Sequence, residues 1–122
     1  MYLTNNPGFT LIELLVTMTI ISILTAIAVP QFSDFRERGF DTRAISDLRN
    51  TAIAEEAYFI DAEKYLSCAN STCANLPGIS ALSKGVTLTI IATDTTFTGT
   101  ATHPKGTGKI FKWDSNKGGL LE

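Results

Sequence analysis

The feature that most constrains this chain is an apolar run from Phe9 to Val29 that carries a single charge, Glu13. As an α-helix the run would be roughly 32 Å long, about the thickness of a bilayer's hydrocarbon core. A secretory signal peptide has a basic start, a shorter apolar stretch and a small residue after it, whereas here Gly8 comes before the run. A buried helix of a soluble protein is the alternative, but a chain of 122 residues can hardly enclose one. The run therefore predicts membrane insertion.

The charges beside the run bear on its orientation. Residues 1–8 contain neither Lys nor Arg, and the first basic residues, Arg36 and Arg38, follow the run. By the positive-inside tendency alone, the C-terminal side would lie in the cytoplasm.

A second helical pattern follows Pro30, which lacks an amide hydrogen and is expected to kink the helix or weaken it locally. Apolar side chains then recur near one face: Ile45, Leu48, Ala52 and Phe59. Charged side chains fall mostly on other faces: Asp34, Glu37, Arg38, Asp41, Arg43, Asp47 and Arg49. The pattern predicts that an amphipathic continuation of the helix occupies residues 30–65.

The periodicity changes after Tyr65, and residues 66–122 are predicted to form a small globular module. LSCANSTCANLPG reads as a loop by its Ser, Asn, Pro and Gly content. Three segments with strand patterns follow: GVTLTIIAT, TTFTGTATH and KIFKWD. We predict an α+β fold in which the long N-terminal helix packs against an antiparallel sheet of about three strands.

Residue types suited to catalysis are few. His103 is the single histidine, and Cys68 and Cys73 are the two cysteines. No nucleophile–base pair is evident, so an enzyme is not predicted and no cofactor is expected. The net charge of −2 gives no reason to expect a specific nucleic-acid partner.

The two cysteines leave three interpretations open. In an extracytoplasmic module, a disulfide between Cys68 and Cys73 would close a small loop. Free thiols are the second interpretation. A metal site is the weakest, because no further cysteine is present and His103 is far along the chain. The disulfide is favoured, and no metal is predicted.

The N-terminal half resembles a known family. GFTLIELLV at residues 8–16, followed by SILTAIAVPQF at residues 22–32, resembles the start of type IV pilins and of the related pseudopilins of type II secretion. In these prepilins, whose class III-type motif matches GFTLIE, a small residue precedes Phe and an apolar run that contains Glu. The resemblance covers about residues 8–60. A Gly often stands eight positions before the proline in the family, where this chain has Ser22.

The resemblance implies how the chain would be processed and assembled. Residues 1–8 would be the prepilin leader, and residues 9–29 the transmembrane helix that later forms the filament core. A prepilin peptidase would cut between Gly8 and Phe9 and methylate the new amino group of Phe9. An inner-membrane platform with an ATPase would then assemble copies of the chain into an extracellular helical filament.

The resemblance also implies an orientation that differs from the charge count. Before assembly the helix would cross the inner membrane once, in contact with lipid, with the C-terminal module in the periplasm. We adopt this orientation.

Glu13 matches the glutamate that, in the family, contacts the free amino group of the preceding subunit's first residue during assembly. A lone carboxylate in hydrocarbon needs a partner, and the run offers neither Lys nor Arg. Cleavage before Phe9 would create a cationic amine that the same chain or a neighbour could present to Glu13. An unpaired or protonated Glu13 near the lipid headgroups is the remaining alternative.

Three functions are compatible with the resemblance. The first is a structural subunit of a type IV pilus, which serves adhesion, twitching motility, DNA uptake or surface contact. The second is a pseudopilin of a type II secretion piston; many such proteins bind calcium, for which Asp94 and Asp114 offer too few ligands. The third is an electrically conductive pilin, but packing at helical spacing explains the aromatic residues better. The sequence favours the pilus subunit.

Overall fold

The computed structural model describes Tyr2 and residues 6–121. Met1 and residues 3–5 of the predicted leader, and Glu122 of the predicted C-terminal module, lie outside the described residues. The chain divides into two compact units, one extending to Phe35 and the other starting at Arg36.

The first unit consists mainly of the beginning of helix α1, which extends from Leu11 to Ala62. Every side chain from Leu11 to Val29 is exposed. The most apolar window of α1 has a mean hydropathy of 2.3, so the helix is long and apolar enough to cross a membrane by length and composition. The helix continues through Pro30 without interruption, and the kink at Pro30 stays a prediction.

Four hydroxyl side chains in the apolar segment bond to carbonyls of their own helix. Thr17 donates to the Leu14 carbonyl at 2.8 Å. Thr19, Ser22 and Thr25 each donate to the carbonyl four residues earlier, at 2.7 to 2.8 Å. Because an unsatisfied polar group in lipid costs several kcal/mol, these internal bonds make the hydroxyls compatible with a bilayer.

The second unit contains an antiparallel sheet with the strand order β1-β2-β3-β4-β5. The strands are β1 (Cys68–Ala69), β2 (Thr87–Ala92), β3 (Phe97–Thr102), β4 (Phe111–Asp114) and β5 (Gly119–Leu121). The long helix and antiparallel sheet confirm the predicted fold class, but the sheet has five strands rather than about three. The two additional strands lie at the edges and contain two and three residues, too few for an alternating pattern to be recognised in the sequence.

The core of the second unit lies between the sheet and the second part of α1. The largest buried apolar side chains are Phe97, Leu88 and Ile90 from the sheet and Leu48 from the helix. Gly99 lets β3 lie close to the helix, because a Cβ atom there would lie 2.8 Å from Leu48 Cδ1. The predicted apolar face of the helix therefore covers one face of the sheet.

Two carboxylates of α1 accept hydrogen bonds from loops that cross the helix. Asp47 accepts hydrogen bonds from the backbone nitrogen and hydroxyl of Ser83, at 2.7 and 3.0 Å. Asp41 accepts the same pair of bonds from Thr107, at 3.1 and 2.6 Å. The prediction that Asp41 and Asp47 lie on the polar face was wrong: both are buried, because the loops that cross the helix need acceptors for their N–H groups.

Glu55 is a third carboxylate on this side of α1 and is 0% exposed. Its Oε2 accepts a hydrogen bond from the backbone nitrogen of Leu66 at 2.9 Å. Its Oε1 has no hydrogen-bond partner among the described residues. Burial raises the pKa of Glu55, the bond from Leu66 opposes that rise, and the charge of Glu56 adds to it.

His103 is buried and stabilises the connection between β3 and β4 by stacking and hydrogen bonding. Its ring stacks on Phe40 with 4.5 Å between the ring centroids. Its Nδ1 accepts a hydrogen bond from the Lys105 backbone nitrogen at 3.0 Å, and its Nε2 lies 3.2 Å from the Lys84 carbonyl oxygen. The tautomer with its proton on Nε2 satisfies both contacts.

Candidate functional site

The predicted cleavage junction precedes the first turn of α1. Gly8 and Phe9 are exposed and lie outside the helix. A Cβ atom at Gly8 would meet nothing within 4 Å, so packing within the chain does not require glycine there. The peptide bond between Gly8 and Phe9 is thus open to another protein.

Thr10 and Glu13 form a reciprocal cap at the start of α1. Glu13 Oε2 accepts hydrogen bonds from the backbone nitrogen and the hydroxyl of Thr10, at 2.8 and 2.9 Å. The Thr10 hydroxyl oxygen in turn accepts the Glu13 backbone N–H at 3.2 Å. This is the capping-box arrangement, which satisfies two backbone N–H groups that a helix start otherwise leaves unpaired.

Thr10 is the residue at this site that sequence reasoning missed. The signal was present, because TLIE at residues 10–13 has the spacing of a capping box, a Thr followed three residues later by Glu. The expected partner of Glu13 was an amine produced by cleavage. In the uncut chain the Phe9 nitrogen belongs to a peptide bond, and Thr10 supplies the hydrogen bonds instead.

The surface next to the Glu13 carboxylate is open and mostly apolar. A shallow groove beside it is lined by Phe9, Ile12, Glu13, Val16 and Thr17. Among the residues that the structure describes, no donor bonds to Glu13 Oε1. One oxygen of the carboxylate is therefore engaged within the chain, and the other faces a surface that a second molecule can reach.

The other predicted site residues lie further along the chain. Pro30 lies within α1. Cys68 and Cys73 are both buried in the second unit, where a disulfide with an S–S distance of 2.09 Å joins β1 to the short 3₁₀ helix Asn70–Asn75. Within residue 2 and residues 6–121, no group of three or more His, Cys, Asp or Glu side chains is arranged to hold a metal ion.

Aromatic residues meet at the end of α1. The ring centroids of Phe59 and Tyr65 lie 4.7 Å apart, and those of Tyr65 and Phe97 lie 4.8 Å apart. The Tyr65 hydroxyl donates to the Glu56 carboxylate at 3.2 Å. Burial raises the pKa of Tyr65, and the charge of Glu56 adds to that rise. The packed rings cover the edge of the core where the helix ends.

Comparison with known proteins is consistent with this N-terminal geometry. Residues 3–29 match the family described as the prokaryotic N-terminal methylation motif. The type IV major pilin protein PilA of Myxococcus xanthus is 40% identical over 65 residues, which cover 53% of this chain and 30% of that protein. A fimbrial protein of Pseudomonas aeruginosa is 42% identical over 64 residues, covering 52% of this chain and 42% of that protein.

A further relative matches over a longer stretch. The type IV wide pilus major component PilA4 of Thermus thermophilus is 35% identical over 88 residues, which cover 72% of this chain and 66% of that protein. The chain spans less than half the length of the first two relatives. The family match at residues 3–29 includes the capped start of α1 and its apolar segment up to Val29.

Proposed function

The chain belongs to the type IV pilin family, and from this membership we propose that it is a structural subunit of a type IV pilus filament. The observation that carries the proposal is the apolar part of α1, where every side chain from Leu11 to Val29 is exposed. An apolar surface of this size is unfavourable in contact with water and has to be buried against something else. Lipid contacts the apolar segment before assembly, and the same segments of neighbouring copies contact it within the filament core.

The relatives support a pilus rather than a secretion piston. They are named as major pilins and fimbrial proteins, which are structural components and not enzymes. The apolar helix and this family membership fit a membrane-anchored precursor and an extracellular pilus. In the finer proposal, the precursor crosses the inner membrane once, with residues 66–122 in the periplasm, until the assembly platform and its ATPase extract it.

Processing at Gly8–Phe9 is the first step of the proposed pathway. Three observations support it: the junction is exposed, it lies outside the helix, and it falls within the match to the methylation motif. Glycine is not needed there for packing, so we attribute it to recognition by a prepilin peptidase. The new amine of Phe9, which the same enzyme methylates, is then the only cation near the start of the apolar segment.

Glu13 acts in the next step. Before assembly, the Thr10 cap lowers the cost of holding the carboxylate in or near lipid by satisfying one of its oxygens. During assembly, the Phe9 amine of a neighbouring copy approaches the second oxygen across the open groove. Because a buried charge pair is favourable only when the two groups meet closely, this contact selects the correct register between copies.

Mass spectrometry of surface material tests the proposal. Filaments sheared from cells should contain the chain, with a mature mass that starts at a methylated Phe9. A Gly8→Val variant should keep its leader and should be absent from the sheared fraction. A mature protein that still begins at Met1 would refute the processing step, and absence of the unaltered chain from sheared material would refute the pilus function.

A further inference from the structure

Two apolar patches at the surface of the second unit have no role in the steps above. The helix patch consists of Ile53, Ala57 and Ile60, on the solvent side of α1. The strand patch consists of Ile110, Leu120 and Leu121, beside the last two strands of the sheet. Both lie within residues 36–122, and they differ in charge.

Acidic side chains outnumber basic ones around the helix patch. Ile53 is 67% exposed and Ile60 is 80% exposed. They are seven positions apart, about two helical turns, so they share one side of α1 with Ala57 between them. The exposed charged residues within one turn of the patch or directly after it are Arg49, Glu56, Asp61, Glu63 and Lys64. Acids outnumber bases there, and the carboxyl end of the helix adds partial negative charge.

Two lysines border the strand patch. Ile110 is 57% exposed, and together with Leu120 and Leu121 it lines a groove of about 560 Å³. Lys109 and Lys112 line the same groove, whose floor includes Phe111 and Ile45. The ammonium group of Lys109 lies 5.9 Å from the centroid of the Phe111 ring. The groove thus offers apolar walls between two cations.

We propose that the helix patch of one copy docks on the strand patch of the next copy. The inference rests on the proposed function, which requires copies to associate, and it identifies the surfaces through which their globular parts meet. Opposite charges bring the patches together, and the exposed isoleucines fill the groove. Pairing of two strand patches would instead place lysines against lysines.

The two patches also predict the kind of assembly. A contact between two different surfaces of the same protein is heterologous, so each added copy leaves one helix patch and one strand patch free. When the rotation between copies does not close a ring, the contact repeats into an open helical assembly. A filament is such an assembly, whereas a self-complementary patch would stop at a dimer.

Cysteine cross-linking in filaments of the full chain tests the contact. An Ile60→Cys and Ile110→Cys double variant should form a ladder of covalent multimers under mild oxidation, because each copy joins two neighbours. Ile60→Cys combined with Ile91→Cys is the matched control. Ile91 is 67% exposed on β2 but does not line the groove, so the control filaments should lack the ladder.

Charge reversal gives a second measurement in case the cysteine variants do not assemble. Lys109→Glu with Lys112→Glu should abolish filaments, and adding Asp61→Lys with Glu63→Lys to the same chain should restore them. In the cross-linking test, the contact is overturned if filaments form without the ladder, if both cysteine pairs give equal ladders, or if cross-links join a different protein. In the charge-reversal test, it is overturned if the second pair of reversals does not restore assembly. Absence of filaments from the unsubstituted chain would overturn the proposed function itself, and this contact with it.

Discussion

The Glu13 carboxylate lies 2.8 Å from the backbone nitrogen of Thr10, so the one charge of the apolar segment has a partner within its own chain. The same side chain therefore has two roles that can be separated. It caps the helix through one oxygen, and in the proposed function it meets an amine of a neighbouring copy through its charge.

The cap itself predicts an effect of Thr10. A Thr10→Val variant keeps the shape of the side chain but loses the hydroxyl, which should cost about 1 kcal/mol of helix stability and leave Glu13 less well held. We expect normal membrane insertion and a reduced filament yield, measured by immunoblot of sheared and membrane fractions. Thr10→Ser is the control and should behave as the unaltered chain does. An unchanged yield from Thr10→Val would contradict a role for the cap.

Replacing Glu13 by Gln separates charge from capping. Gln at this position still completes a capping box, so the start of the helix and its membrane insertion should be retained. The pairing with a cationic amine is lost, so filaments should disappear from the sheared fraction. Glu13→Ala, which loses both roles, should give the same assembly defect with a weaker helix start. Filaments of normal yield from Glu13→Gln would show that the charge is not needed.

The bond between Asp47 and Ser83 predicts a stability effect in the second unit. Asp47→Ala leaves the buried N–H and hydroxyl of Ser83 without their acceptor. The free energy of unfolding should fall by roughly 1–3 kcal/mol. Chemical denaturation of the detergent-solubilised chain, followed by tryptophan fluorescence, measures the change. Asp61→Ala alters an exposed carboxylate of the same helix and should change stability far less.

Glu55 predicts a pH dependence with a definite sign. Because burial raises its pKa in the folded state above its ordinary value of 4.5, the folded protein keeps this proton to a higher pH than the unfolded chain does. Unfolding then releases a proton, so the contribution of Glu55 to stability falls as pH rises from 4.5 through the raised folded value, and it levels off above that value.

Glu55→Gln isolates this contribution. The variant can still accept the hydrogen bond from Leu66 but does not titrate. The free energy of unfolding of the unaltered chain, minus that of the variant, should decrease with rising pH across this window. A difference that stays constant or increases would mean that folding does not raise the pKa of Glu55.

The cysteine pair predicts a redox-dependent stability. The disulfide closes a short loop, since Cys68 and Cys73 are separated by 5 positions. By loop-closure entropy its loss in a Cys68→Ser, Cys73→Ser variant should lower the free energy of unfolding by about 2 kcal/mol. Alkylation followed by mass measurement should find no reactive thiol in filaments before reduction. Labelling of both cysteines without a reductant would disprove the disulfide.

Much of the fold could be predicted because the long helix and the main strands have regular hydrophobic patterns that extend over many residues. The apolar run is apolar on every side, which identifies a helix suited to lipid or to a filament core. The spacing of Leu48 and Ala52 identifies the face of α1 that meets the sheet. The hairpin of β2 and β3 follows from two β-branched runs separated by a polar turn. The short edge strands are formed by pairing with neighbours rather than by their own composition, so the sequence did not reveal them.

Buried charge was the main source of error. Asp41 and Asp47 look like surface residues of an amphipathic helix, because periodicity records polarity but not which loop will cross the helix. Their partners, Thr107 and Ser83, are distant in the chain and become neighbours only in the folded unit. At the N-terminus the reverse holds, since the cap between Thr10 and Glu13 is local and the sequence contains its full signal.

The hydroxyl groups within the apolar segment have one further consequence. Because Thr17, Thr19, Ser22 and Thr25 all give their protons to their own helix, none of them directs a donor toward a neighbour. From Leu11 to Val29, Glu13 is then the one charged side chain, and one of its carboxylate oxygens accepts both bonds from Thr10. In the proposed function, the contact of this single carboxylate with a neighbour's amine sets how far each subunit is turned about its helix axis when it enters the filament.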